Sequence, residues 1–444
     1  MKNLLYTMKK HELSPPQVLA AGFFVIILIG TLLLKLPIST TEYLSWLDAL
    51  FTATSAVTVT GLVVVDTGGA FTHFGQIILM VLIQIGGLGL MTFAVMSILL
   101  LGKRIGLKER LLIQESLNQN SMGGVVRLIK ALFFFAVGTE LIATVILSFK
   151  WVPEYGFAQG VFNSLFHAIS AFNNAGFSLW SDSLSGYATS PVVNLTITFL
   201  FITGGIGFTV LYELFERKSF RHYALHTKVM LVGTFFINVI AIFSFFLLEF
   251  QNPETLGALS SGDQFWTSYF QAITPRTAGF NTLDYSTMNE STLLFTVFLM
   301  FIGAGSASTG SGIKVTTFVI ILAAVYAYLR GRNEVRMFKR RVPLEIVHRS
   351  LSIIIMSLFF VFFSIFILSL TENLPIIALI FESFSAFGTV GLSVGITDQL
   401  STIGKLVIMV LMFIGRVGPL TIAFALAKTS APKISYPKGR IFTG

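Results

Sequence analysis

The chain has 444 residues, of which 54% are hydrophobic and 11% charged, and it has no cysteine. Soluble domains carry about 25% charged residues, so this composition points to lipid as the solvent, and the missing cysteine excludes disulfides and thiolate metal sites. The net charge of +9 would suit a nucleic-acid binder, but its distribution along the chain argues for membrane topology and against a nucleic-acid partner.

Most basic residues fall in five segments: the N-terminus with Lys2, Lys9 and Lys10, then Lys103–Lys130, Arg217–Lys228, Arg330–Arg349 and the tail from Lys428. Acidic residues such as Glu42, Asp66, Glu154, Asp182, Asp263, Asp284 and Asp398 fall mostly in the intervening segments. This alternation is the positive-inside pattern, and it predicts that both termini and three connecting loops are cytoplasmic.

In chain order, the first apolar run, Pro16–Leu34, reads as a retained span, because no small-residue cleavage site follows a short apolar core. A short run, Tyr43–Val57, leads to Gly61, and a second span covers Phe74–Leu101. The same order returns as Arg127–Phe149, Gly160–Phe172 and Pro191–Phe215, then as Lys228–Leu248, Asp263–Ile273 and the long apolar region Thr292–Leu329. It closes with Ser350–Leu370, Leu374–Phe387 and Ile403–Ala427. The predicted repeats are A (1–102), B (103–218), C (219–341, with a broken second span) and D (342–444). Each long run matches the roughly 30 Å of a bilayer core at about 1.5 Å per residue, whereas about 12 helical residues reach only about 18 Å. The short runs therefore dip in and return on the outer side. The predicted fold is all-α and membrane-integral, with eight spans and four re-entrant half-helices around a central pore.

Each short run ends in a small, polar stretch that closes on glycine: SAVTVTGL from Ser55, SAFNNAGF from Ser170, TPRTAGF from Thr274 and SAFGTVGL from Ser385. The glycines Gly61, Gly176, Gly279 and Gly391 lie roughly 110 residues apart, a period that marks one device used four times. Non-helical backbone at membrane depth must be buried in protein or line water. The candidate ring is Val59, Thr60 and Gly61 with Asn174, Ala175 and Gly176, then Thr277, Ala278 and Gly279 with Thr389, Val390 and Gly391. Its carbonyls would replace the hydration shell of a cation.

The second spans share a small-residue cluster, in LIQIGGLGLMT from Leu82, FITGGIGFTV from Phe201, FIGAGSASTG from Phe301 and FIGRVGPLTI from Phe413. In A and B the tandem glycines read mainly as close helix packing. In C, the run Gly303, Ala304, Gly305, Ser306, Ala307, Ser308, Thr309, Gly310, Ser311 and Gly312, ending near Lys314, interrupts the span. Its lysine is misplaced for a phosphate loop and no strand precedes it, so it reads as a flexible polar segment lying across the pore as a gate, or else as a packed, static kink. Arg416, inside the last span, either faces the ion path or pairs with a helix end or acidic neighbour. Lys314 contacts cytoplasmic-side carbonyls or snorkels. Glu140 reads as an acceptor for a neighbouring helix, Arg276 as ordering the outer mouth by pairing with an acidic group, and His167 as structural. Two competing classes are weaker. A transporter that rocks between two states usually has two halves, and a membrane enzyme would need a convergent His, Asp and Glu cluster that the sequence lacks.

The four stretches, the broken span of C and the arginine in that of D resemble the Trk/Ktr/HKT superfamily of potassium transporters over essentially the whole chain. The compact length is most similar to the membrane subunits of bacterial Ktr systems. The resemblance implies four M1–P–M2 units arranged like a potassium channel in one polypeptide of the cell membrane. It implies a potassium filter at the four glycines, a gating loop at Gly303–Lys314 and a pore-facing Arg416. It further implies a homodimer on a cytosolic octameric ring of the KtrA type, with ATP or ADP bound to that ring and not to this chain, and sodium as an activator. No copy carries the full Thr-Val-Gly-Tyr-Gly of potassium channels, so fewer ion sites are expected. A glycine at position 61 fits the potassium-selective members.

Overall fold

The computed structural model describes residues 15–89, 125–217 and 219–426. The N-terminal basic segment, most of Lys103–Lys130, the far end of the Phe74–Leu101 span and the tail from Lys428 lie outside the described residues.

One three-part unit recurs. A long outer helix comes first: α1 (Pro15–Leu34), α4 (Val125–Tyr155), α8 (Leu225–Glu249) and α12 (Leu344–Thr371). Each of these is long and apolar enough to cross a membrane. Their outward faces carry exposed Phe24, Phe134, Phe243 and Phe363, which suits lipid contact. A short helix follows: α2 (Trp46–Thr58), α5 (Phe157–Phe172), α9 (Ser261–Ile273) and α13 (Ile376–Gly388). Ser45 and Ser260 cap two of these N-termini by accepting from the amides of Asp48 and Asp263 at 3.1 and 3.4 Å, which pairs amides that a helix start leaves free. Third come the inner helices: α3 (His73–Leu88), α6 with α7 (Pro191–Gly205, Phe208–Glu216), α10 with α11 (Glu290–Phe301, Val315–Leu329), and α14 with α15 (Thr402–Val417, Pro419–Leu426).

The order of packing is cyclic. Inner helix α3 lies against the short helix α5 of the next unit, α6 against α9, α10 against α13, and α14 against α2. The last seam carries an ion pair, Lys405 Nζ to Asp48 Oδ1 at 2.9 Å. The larger cores among the described residues follow this division, one around α13 and α10, one around α4 to α6, and one around α1 to α3. On the basic side, β1 (Arg336–Met337) and β2 (Arg340–Arg341) form a hairpin whose turn residues Phe338 and Lys339 have φ of 47° and 61°, the primed-turn geometry that matches strand twist.

The inner spans correct the sequence reading, which broke only the third. α6 and α7 meet at 98°, α3 ends where Gly89 has φ +86°, and α14 ends where Gly418 has φ +95°. A close backbone contact lies three residues before each of Gly89, Gly207 and Gly418. A Cβ on Gly86 would sit 2.1 Å from the Val57 carbonyl oxygen, on Gly204 1.9 Å from that of Phe172, and on Gly415 2.0 Å from that of Phe387. Close packing, as expected for A and B, is present, and each helix stops immediately after it at a glycine in the left-handed region.

Gly204→Ala forces a methyl into a backbone carbonyl, an overpacking of about 1–3 kcal/mol or more. We expect a lower melting midpoint and a smaller monodisperse fraction in detergent. Gly138→Ala, where the added carbon meets nothing within 4 Å, should match the wild type in both.

Candidate functional site: a four-stranded ring and the loop beneath it

The ring is built from the ends of the short helices. Val59, Asn174, Thr277 and Thr389 all have left-handed backbone, with φ of 58°, 58°, 71° and 48°, and Gly61, Gly176, Gly279 and Gly391 follow at 93°, 68°, 78° and 91°. A β-branched residue in that region is an outlier, and each carries roughly 1–3 kcal/mol of strain that the surroundings must hold.

Two sets of bonds hold it. The amides of Thr60, Ala175 and Val390 donate five residues back, to the carbonyls of Ser55, Ser170 and Ser385, at 2.8, 2.8 and 2.9 Å. The third stretch is one residue shorter, and there Ala278 donates four back, to Thr274, at 3.0 Å. The hydroxyl that opens each stretch then pins its far end. Ser55 and Ser385 Oγ accept from the amides of Gly61 and Gly391, both at 3.1 Å. Ser170 Oγ and Thr274 Oγ1 donate to the carbonyls of Phe177 and Phe280 at 2.8 and 2.6 Å. These hydroxyls were not singled out from the sequence, although their recurrence at the first position of all four stretches was the available signal.

The four strands close on one another. A Cβ on Gly61 would lie 2.4 Å from the Ala175 carbonyl oxygen, on Gly176 2.8 Å from Gly279 Cα, on Gly279 2.2 Å from the Val390 oxygen, and on Gly391 2.2 Å from the Thr60 oxygen. The contacts run A to B to C to D and back to A, so all twelve candidate residues are brought together. The carbonyl ends of four short helices point at this place, and helix C-termini favour a cation.

Residues 302–314 lie directly beneath. The segment folds on itself through Gly303 N–H to the Ile313 carbonyl at 2.9 Å and Ala304 N–H to that of Ser311 at 3.2 Å. It also docks on the break in B: Gly305 N–H donates to Gly205 O at 2.7 Å, Thr309 N–H to Gly204 O at 3.1 Å, and Phe208 N–H to Ala307 O at 2.7 Å. Lys314 Nζ donates to Gly310 O at 2.8 Å, so it holds the loop's own backbone. Arg416 donates to the carbonyls of Thr309 and Gly86, to Gly87 O at 3.0 Å and to Ser311 Oγ at 3.2 Å. It thus ties the loop to a helix end, the second of the two alternatives read from sequence. Gly87, Gly205 and Ala304 occupy the equivalent place in the other inner spans. Below lies a cavity of about 480 Å³ whose lining includes Ser308, Gly312, Lys314, Arg349 and Arg416.

Arg276 corrects the sequence reading. Its guanidinium turns inward and donates to Asn238 Oδ1 at 2.6 Å and the Gly303 carbonyl at 3.5 Å, with no acidic partner among the described residues. The third stretch carries it toward the broken span, away from the outer mouth. Glu140 is buried and accepts from Gln84 Nε2 at 3.1 Å and Asn173 Nδ2 at 3.3 Å, the structural role expected. His167 bonds the Asn163 carbonyl and Ser178 Oγ and stacks on Trp180.

A many-helix membrane protein with this ring fits one class, and comparison with known proteins assigns it. The chain belongs to the TrkH family, described as cation transport protein, whose model matches residues 11–435. It is 60% identical over 431 residues to the Ktr system potassium uptake protein B of Bacillus subtilis strain 168, covering 97% of each chain. It is 45% identical to the protein of that name from Vibrio alginolyticus, covering 98% of this chain and 96% of the relative. It is 40% identical to the potassium/sodium uptake protein NtpJ of Enterococcus hirae, covering 98% of each. The crystal structure of the potassium transporter TrkH from Vibrio parahaemolyticus shares the fold, with a TM-score of 0.72 and 21% identity over 94% of this chain and 86% of that one. These relatives are transport proteins and not enzymes.

Ser55→Ala leaves the buried Gly61 amide without its acceptor. A buried donor so stripped loses about 1–3 kcal/mol, so hydrogen exchange of the peptide spanning Gly61 should speed by about tenfold or more, with the peptide spanning Gly176 unchanged.

Proposed function

We propose that this chain takes potassium into the cell across the cytoplasmic membrane, through the ring formed by Gly61, Gly176, Gly279, Gly391 and the two residues before each. One observation carries the reading: four left-handed strands meet in a closed cycle at the ends of four inward-pointing helices. Backbone oxygens so arranged can stand in for a hydration shell without any carboxylate. The relatives, potassium uptake proteins in two cases and a potassium/sodium uptake protein in a third, favour potassium as the ion, with sodium acting beside it as an activator in this reading.

The segment Gly303–Lys314 with Arg416 acts in this reading as the gate. The guanidinium beneath the ring opposes a cation arriving from above, and its bonds to the Thr309 and Gly86 carbonyls latch the loop across the path. Both termini are cytoplasmic, and the protein works as a homodimer on a cytosolic nucleotide-binding octameric ring of the KtrA type. The basic segment Arg330–Arg349 supports such docking, because its hairpin exposes Arg336, Arg340 and Arg341. Glu334 joins Arg336 and Arg341 at 2.8 and 2.9 Å, and the hydrogen bond from Arg336 and the charge of Arg341 hold its carboxyl below its usual range.

Rubidium uptake into potassium-loaded proteoliposomes tests the ring. Wild-type uptake should be blocked by external potassium and spared by sodium. In Gly391→Ser the side chain meets the Thr60 carbonyl at φ +91°, and discrimination should fall on the order of tenfold, matching ~1–3 kcal/mol of left-handed strain. Unchanged discrimination in that variant would remove the fourth strand from the ion path. Arg416→Ala and deletion of Ser306–Ser311 should each raise flux, including from a wild type that is silent without its partner. Replacing Arg336, Arg340 and Arg341 by glutamine should abolish the response to ATP and ADP in the reconstituted complex; a preserved response sinks the docking assignment.

A further inference from the structure

We infer that the loop and the ring are a single hydrogen-bonded body joined at Thr309, so that Thr309 is a specificity-determining positioning residue as well as part of a barrier. This rests on the gate reading above and goes beyond it: moving the loop would loosen ion discrimination in addition to clearing the path.

Thr309 is fully buried. Its Oγ1 lies 2.8 Å from Asn174 Oδ1 and 3.1 Å from the Phe172 carbonyl oxygen, and its one proton serves these two acceptors. Asn174 Nδ2 in turn donates to Thr277 Oγ1 at 3.1 Å. Asn174 and Thr277 are the left-handed residues of the second and third strands. The loop therefore grips the positions whose unusual backbone sets the direction of the following carbonyls. The fit is close: a Cβ on Gly310 would stand 2.4 Å from Thr277 Oγ1, so the loop backbone lies directly under the strand. On its other side Thr309 is held through its carbonyl by Arg416. The chain of contacts runs from Arg416 through Thr309 to Asn174 and Thr277 with no gap.

The grip is one-sided. The equivalent residues of the first and fourth strands are Val59, which has no hydroxyl, and Thr389, whose Oγ1 is buried without a hydrogen-bond partner. Strand B is thus bonded to the loop directly and strand C through Asn174, whereas Val59 and Thr389 of strands A and D make no such side-chain bond. If Thr309 merely packed the loop in place, its loss would alter flux alone. If it positions Asn174, its loss leaves a buried amide oxygen short of a donor and frees a strained strand.

Two measurements on the full chain separate these cases. In proteoliposomes, Thr309→Val should lower discrimination of rubidium over sodium by about tenfold, the effect of about 1.4 kcal/mol from a stripped buried partner, and Thr309→Ser should restore it. The double variant with Asn174→Ala should lose no more than Asn174→Ala alone, because groups sharing one bond are not additive. The second measurement reads the coupling in reverse and needs no flux. The chain has no cysteine, so Ser306→Cys, half-buried on the cavity side of the loop, gives a single label site. Coupling between sites is reciprocal. The thiol should therefore react more slowly in potassium than in sodium, and the difference should vanish when Thr309→Val is added. Discrimination unchanged in Thr309→Val, or labelling equally fast in both ions, overturns the inference. The gate reading is judged separately: if Arg416→Ala fails to raise flux while Thr309→Val still loses discrimination, the gate falls and the coupling stands.

Discussion

A peptide group at membrane depth must find a hydrogen-bond partner inside the protein or face water, and the irregular segments around the ring meet that demand through one another. The short helices can end halfway across because their last carbonyls lie against the next layer. Gly86, Gly204 and Gly415 let the inner helices close to backbone contact with those ends. Because the inner helices then stop, their own free carbonyls need donors. Those of Gly204 and Gly205 receive the amides of Thr309 and Gly305, and those of Gly86 and Gly87 receive the guanidinium of Arg416. The interrupted third span is thus the source of donors that the broken second span requires.

This exchange accounts for the unequal copies. Repeat C has the shortest strand before its glycine and the longest interruption after it. Its closure shifts from a five-residue to a four-residue step, at Ala278 to Thr274. The side chain displaced by that shift, Arg276, reaches back to Gly303. Repeat D answers with Arg416 where its siblings have only glycine or alanine. The departures from symmetry lie on the same three elements, and they complete one another's hydrogen bonds.

Much of this was legible beforehand. The fourfold recurrence of span, short run and glycine strand was visible because lipid imposes length on outer helices and polarity on returning strands. The placement of Glu140 and His167 followed from the cost of burying a polar group without partners. What escaped was contact information. Nothing in LIQIGGLGL or FITGGIGF tells a glycine that packs from one that also ends a helix, since both need the missing Cβ. The direction of Arg276 depends on a one-residue shift in closure that spacing alone does not convert into an orientation. The left-handed Val59, Thr277 and Thr389 run against local preference, and only neighbouring strands impose that shape.

Carrying the ring on a single polypeptide has a further consequence for Arg416. In a pore assembled from four identical subunits, any side chain set near the axis appears four times. Four guanidinium groups there would repel one another and could not all find carbonyls. A tandem chain is free of that multiplicity. It can hold a single guanidinium against the loop and give the equivalent positions to Gly87, Gly205 and Ala304. It can also let each quadrant drift in sequence at its own rate. A side chain present in an odd number of copies is something only a pseudo-symmetric molecule can have.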